Sequence, residues 1–260
     1  MTDPGSFMRY VAIGDSLSEG LGDPSPSGGH RGWADRLAEI LAARRPGLTY
    51  ANLAVRGKSA AQIRAEQLGP ALALKPDLVT VTAGMNDLVR SGFDAASVVA
   101  DIEEMFVGLT ASGARVAVMT FPDPGRISPL ARRMLPRVVD LNARLRAAAE
   151  RHGVTVLDVF PHPVTTDPRL WSADRLHTSP LGHARIASGM AHVLGLTGHG
   201  GWNDPLPPRP PVSALGAVRT EVRWVLGFLG PWLWRRLRGR SSGDGCSAKR
   251  PEPGPVTPPV

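Results

Sequence analysis

The 260-residue chain carries 42% apolar residues, a single cysteine and a formal net charge of +7. That apolar fraction fills the core of one α/β domain, and a lone cysteine excludes an intrachain disulfide or a cysteine metal cluster. The charge is lopsided: residues 1–200 hold 21 Lys/Arg against 19 Asp/Glu, and residues 201–260 hold 9 against 4, so the basic character lies mainly in the tail and no specific nucleic-acid contact is expected of the main domain.

Residues 1–7 have neither the basic nor the apolar stretch of a secretory leader, and the expected location is the cytoplasm. Short β-branched or apolar runs then occur at 10–13, 49–53, 78–82, 114–120 and 154–159. Between and after them, apolar residues recur at helical spacing over 33–43, 61–68, 96–109, 138–149 and 184–194. Pro46-Gly47, Lys75-Pro76-Asp77 and Ser112-Gly113 punctuate the alternation. Strands alternating with helices require crossover connections, so the expected fold is an α/β/α sandwich on a parallel sheet of about five strands. Residues 1–197 form this domain. Composition shifts after Leu196: 198–213 reads as a Gly/Pro-rich linker, 214–240 as an apolar and basic accessory segment, and 241–260 as a disordered Gly-, Ser- and Pro-rich tail.

In an open parallel sheet, ligands bind at the carboxyl ends of the strands. Those ends carry Gly14-Asp15-Ser16-Leu17-Ser18, then Asn52 to Gly57, then Gly84-Met85-Asn86-Asp87, and, before the last helix, Asp174-Arg175-Leu176-His177. Together they supply what acyl transfer needs. The Ser16 hydroxyl needs an adjacent base, and His177 is the candidate. Asp174, three residues earlier, can hold the second ring nitrogen of His177. The backbone N–H groups of Ser16 and Gly57 and the side-chain amide of Asn86 can stabilise an oxyanion. Asp15 is expected to brace the loop from behind, Asp87 to be structural, and His183 to pack or cap. His30, His152, His162, His192 and His199 have no ligand-like spacing, and no metal site is expected.

These blocks resemble the SGNH hydrolase superfamily, the GDSL-like lipases and acylhydrolases, over residues 9 to about 196. The resemblance implies strand order 2-1-3-4-5, no cofactor, Ser16 as nucleophile, Gly57 and Asn86 as oxyanion donors, and Asp174 and His177 as the rest of the triad. It implies a serine esterase or acylhydrolase that cleaves a small-molecule carboxylic ester through an acyl-enzyme. Alternatives are a lysophospholipase or thioesterase working at a membrane surface, or a non-catalytic ligand-binding protein on the same fold. Ser18 stands where a Gly-x-Ser-x-Gly elbow has its second glycine, which argues against the α/β-hydrolase pattern.

Two segments have open roles. The arginines of 121–136 would form either a solvated loop or a wall facing anionic substrates. Trp224 to Arg240 joins three tryptophans to an arginine cluster, and its apolar part, Trp224 to Trp234, is too short to span a bilayer. It would dock on the domain, lie peripherally on anionic membrane, or contact a partner protein or nucleic acid. In each case the tail is expected to be separable from catalysis. Oligomeric state is not legible.

Overall fold

A computed structural model describes residues 7–26, 28–208, 214–231, 243 and 245–256. Its strands are β1 (Arg9–Gly14), β2 (Thr49–Asn52), β3 (Leu78–Thr82), β4 (Arg115–Met119), β5 (Thr155–Leu157) and β6 (Arg250–Pro255). The helices are α1 (Ser16–Glu19), α2 (Gly32–Arg44), α3 (Ala60–Ala73), α4 (Met85–Leu88), α5 (Ala95–Ala111), α6 (Pro124–Ile127), α7 (Leu135–Arg151), α8 (Pro180–Val193) and α9 (Ala214–Trp224).

The three layers follow from side-chain alternation along strands buried on both faces. Val11 and Ile13 of β1, Val79 and Val81 of β3, and Val116 and Val118 of β4 point to one core, shared with Ile63 of α3, Phe106 of α5 and Leu145 of α7. Tyr10, Ala12, Leu78, Ala117 and Met119 point to the other, shared with Trp33 and Leu37 of α2 and Met190 of α8. Caps mark several helix starts. Ser59 and Gln62 form a reciprocal capping box on α3, Asp94 accepts from Ala96 and Ser97 N–H at α5, and Ser179 accepts from Gly182 N–H just before Pro180 opens α8.

The sheet order is β5-β4-β3-β1-β2-β6. β1 to β5 are parallel in the expected order, and β6 adds a sixth, antiparallel strand beyond β2. The expectation of a disordered tail from 241 is therefore corrected for Arg250–Pro255; 241, 242, 244 and 257–260 lie outside the described residues. Proline is tolerated in an edge strand because one side of its backbone needs no partner. Lys249 pins the strand by donating to the carbonyls of His30 (3.0 Å) and Arg31 (2.8 Å) and to the Asp35 carboxylate, and the Arg250 guanidinium lies 5.3 Å from the Tyr50 ring centre. Burial pushes the Asp35 carboxyl up to about 6 in spite of Lys249.

The expected linker over 198–213 is also corrected at its start. A 3-10 turn, Gly200–Asn203, packs Trp202 into the core against α8, and Arg185 donates to the carbonyls of Gly201 and Trp202 at 2.5 and 2.9 Å. Residues 209–213 and 232–240 lie outside the described residues. Among the described residues, no helix is long and apolar enough to cross a membrane.

Candidate active site

Asp15 caps the one-turn helix α1, its Oδ1 accepting from Leu17 N–H at 3.1 Å, and this turn lifts Ser16 out of the end of β1. Asp15 is only 2% exposed, and burial pushes its carboxyl up to about 6. From the end of β3, Asn86 Nδ2 donates to Asp15 Oδ2 and to the Lys58 carbonyl, each at 3.0 Å. Asn86 thereby ties the serine turn to the loop after β2, where Gly57 adopts a left-handed φ of 78°. Glu19 makes a second tie, accepting from Arg56 N–H at 2.7 Å and from the Arg56 guanidinium. Asp87 Oδ2 accepts from Ala60 N–H at 3.0 Å, holding the start of α3.

The loop before α8 is a tight hairpin, closed by a bridge between Trp171 and Thr178 and by Ser172 N–H on the His177 carbonyl at 2.8 Å. At its tip, His177 Nδ1 donates to Asp174 Oδ2 at 2.7 Å. Asp174 Oδ1 accepts from Ser172 Oγ at 2.6 Å, Leu176 N–H at 2.9 Å and His177 N–H at 3.0 Å. Burial works to raise the Asp174 carboxyl, but the hydrogen bonds and the His177 charge outweigh it and hold it well below the usual carboxylate range. The hairpin meets the serine turn at Gly22, whose φ of 93° leaves it facing the Thr178 carbonyl. A Cβ there would collide with that oxygen and crowd His177.

His183, on α8, ties the loop after the serine turn to the start of α2. Its Nδ1 accepts from Trp33 N–H at 3.0 Å and its Nε2–H donates to the Leu21 carbonyl at 3.0 Å. Burial lowers its pKa to about 4, so it is a neutral structural link rather than a base.

Ser16 and His177 open on one cleft, whose wall is mostly apolar: Met85, Met119, Phe121, Val159, Leu170, Ile186 and Trp202 contribute, with Thr82 and Thr120 among its polar members. Gly57 and Asn86 are not among the residues of its wall; Asn86 reaches the wall through its hydrogen bond to Asp15. Of the 121–136 loop, Phe121 and Pro122 face the cleft, whereas Arg126 and Arg132 line a separate concavity. Among the described residues, no three His, Cys, Asp or Glu side chains converge as metal ligands.

Sequence reading missed Gly22, the Glu19–Arg56 tie, Trp202 and the contact that Trp224 makes. Trp224, from the expected accessory segment, donates its indole N–H to the Asp174 carbonyl at 2.8 Å. These contacts join residues distant in the chain, and no local pattern encodes them.

A parallel α/β/α sheet with a serine after β1 and an Asp/His pair before α8 defines the SGNH class of ester hydrolases. The sequence pattern of the GDSL-like Lipase/Acylhydrolase family matches residues 12–185, and the chain belongs to that family. Several solved structures share the fold. LAE5, an alpha/beta hydrolase enzyme from the metagenome of Lake Arreo, Spain, aligns at 23% identity with a TM-score of 0.60, covering 72% of this chain and 95% of its own. TesA aligns at 25% identity with a TM-score of 0.58, covering 72% and 98%. A catalytic mutant of the acetylxylan esterase Axe2 from Geobacillus stearothermophilus aligns at 18% identity with a TM-score of 0.61, covering 76% and 97%. Comparison with curated protein sequences finds no match. Membership makes the chain an ester-bond hydrolase acting on small-molecule esters.

Proposed function

We propose that the chain is a cofactor-independent serine esterase that works through an acyl-enzyme. The observation carrying this reading is the 2.7 Å His177–Asp174 hydrogen bond beside Ser16 on one apolar cleft. Ser16 Oγ attacks the ester carbonyl while His177 Nε2 takes its proton. His177 returns that proton to the departing alkoxide, leaving Ser16 acylated. Water then attacks the acyl group, giving up a proton to His177, and the carboxylic acid leaves as Ser16 recovers its hydrogen. The Ser16 and Gly57 N–H groups face the developing oxyanion. Asn86 joins them as third donor by exchanging its bond to the Lys58 carbonyl for one to the oxyanion. The apolar wall supports an acyl chain longer than acetyl.

A fluorophosphonate probe should label Ser16, and Ser16→Ala should lose ester turnover by several orders of magnitude while staying folded. Labelling at another serine in Ser16→Ala would overturn the assignment.

A second reading, action on an acyl-lipid at an anionic membrane surface, is supported by exposed apolar side chains in the cleft wall and in the segment after α9. Leu176, in the cleft wall, is 49% exposed, and Leu226, just beyond α9, is 73% exposed. In sequence, Arg235, Arg236, Arg238 and Arg240 follow. Such a segment would bring a cytoplasmic enzyme to anionic lipid peripherally. Cosedimentation with vesicles containing phosphatidylserine tests it: binding that weakens with salt supports it, and no binding at low salt refutes it.

A further inference from the structure

We infer that Trp224 is a positioning residue for the catalytic hairpin, so that the C-terminal segment belongs to the active site instead of being an appendage to it. The inference rests on the reading of Asp174 and His177 as triad members. It reverses the expectation that the tail is separable.

Trp224 ends α9, and among the described side chains of 214–231 it alone is buried, at 6% exposure. Its neighbours Val222 and Val225 are 50% and 39% exposed. Among the described side chains of the segment, the buried anchor is thus the one that falls on the Asp174–His177 hairpin. The indole N–H donates to the backbone carbonyl of Asp174 at 2.8 Å. The next residue, Arg175, sits at a φ of 58°, a left-handed conformation that side chains with a Cβ adopt at a cost. In that conformation its guanidinium carbon lies 4.8 Å from the centre of the Trp224 ring.

Asp174 is therefore gripped on both sides. Its carboxylate holds His177 on the cleft side, while its carbonyl and the following residue are held by Trp224 from outside. The N–H of the Asp174–Arg175 peptide donates to the Ser172 carbonyl at 3.0 Å, and a peptide tied at that end alone could rock about the bond and carry the imidazole with it. Fixing the carbonyl removes that freedom. The expected effect is on kcat, because proton transfer depends on where Nε2 points, while the substrate-binding wall around Met119 and Phe121 is untouched.

The test compares the full chain with Trp224→Ala, Trp224→Phe and Ser16→Ala, using p-nitrophenyl butyrate and thermal melting. Trp224→Ala should lower kcat roughly ten- to a hundredfold with KM nearly unchanged. Trp224→Phe keeps an aromatic face for Arg175 but loses the N–H, and should fall between Trp224→Ala and the parent. It also keeps the comparison usable if the alanine variant does not fold. Parent-like kcat in a folded Trp224→Phe and Trp224→Ala overturns the inference. So does a loss of kcat that tracks a fall in melting temperature, since that marks general destabilisation. Ser16→Ala separates the layers: its inactivity with active Trp224 variants refutes the clamp alone, whereas its full activity refutes the triad beneath it.

Discussion

Replacing Asp174 by Asn tests the triad at its most constrained atom. The carboxylate accepts one hydrogen bond on Oδ2, from His177 Nδ1, and three on Oδ1, from Ser172 Oγ and the N–H groups of Leu176 and His177. An amide keeps one acceptor oxygen and gains an NH₂ donor. At about 1 kcal/mol per neutral hydrogen bond, the oxygen stays where three donors point, and the NH₂ takes the Oδ2 position facing His177. His177 Nδ1 must then accept, its proton moves to Nε2, and the nitrogen that should take the Ser16 proton is already occupied. The expected loss in kcat is about 10⁴-fold, the scale of a forced tautomer change in a serine triad. Stability should fall by only about 1–2 kcal/mol, because the hairpin keeps its three bonds to Oδ1 but loses their charge assistance. Steady-state hydrolysis of p-nitrophenyl butyrate, with urea unfolding as the control, reads both quantities. Turnover within about tenfold of the parent in a folded variant would refute the assignment of His177 as the base oriented by Asp174.

Other expectations follow from single contacts. Asn86→Ala should lower kcat by roughly 10²–10³ with a smaller change in KM; a rise in KM alone would make Asn86 a binding or structural residue. Gly22→Ala should force the hairpin away from the serine turn and lower kcat in a chain that still shows native far-ultraviolet dichroism; unchanged kcat would show that the two loops can shift without cost. For Asp15, a folded pKa of about 6 above a usual value of 3.8 means that the folded state binds more protons. Stability should therefore decline as pH rises from about 4 to 6, by up to about 3 kcal/mol, and urea melts of Asp15→Asn should show a flatter profile in that window. His183 runs the other way. Its folded pKa of about 4 lies below the usual 6.5, so its contribution should be present at neutral pH and lost as pH falls from about 6.5 to 4, a loss that His183→Gln should not show in the same melts.

The parts of this molecule that could be read from sequence are those whose physical cause is local. β1, β3 and β4 were legible because strands buried on both faces need short runs of β-branched residues. The Asp174–His177 pair was legible because three residues of a turn bring a carboxylate to an imidazole. β6 was not, because Pro-Glu-Pro-Gly-Pro gives no strand signal; its pairing comes from the free edge of β2 and the anchor at Lys249, both outside the segment. Trp202 was hidden within a glycine-rich stretch. The docking of Trp224 on the domain is one of the roles its apolar neighbours suggest, but its partner, a carbonyl 50 residues earlier, leaves no imprint on local composition.

The sixth strand has a consequence for the order of folding. β6 pairs with β2 across roughly 200 residues of chain, and so distant a closure is slow compared with neighbouring strand–helix–strand units. On the ribosome, β1 to β5 and their helices can assemble while β6 is still unsynthesised. During that interval the β2 edge is bare, an open ladder of backbone donors and acceptors to which a second nascent copy could add a strand. The late arrival of Arg250–Pro255 closes that edge with a segment too rich in proline to template further pairing.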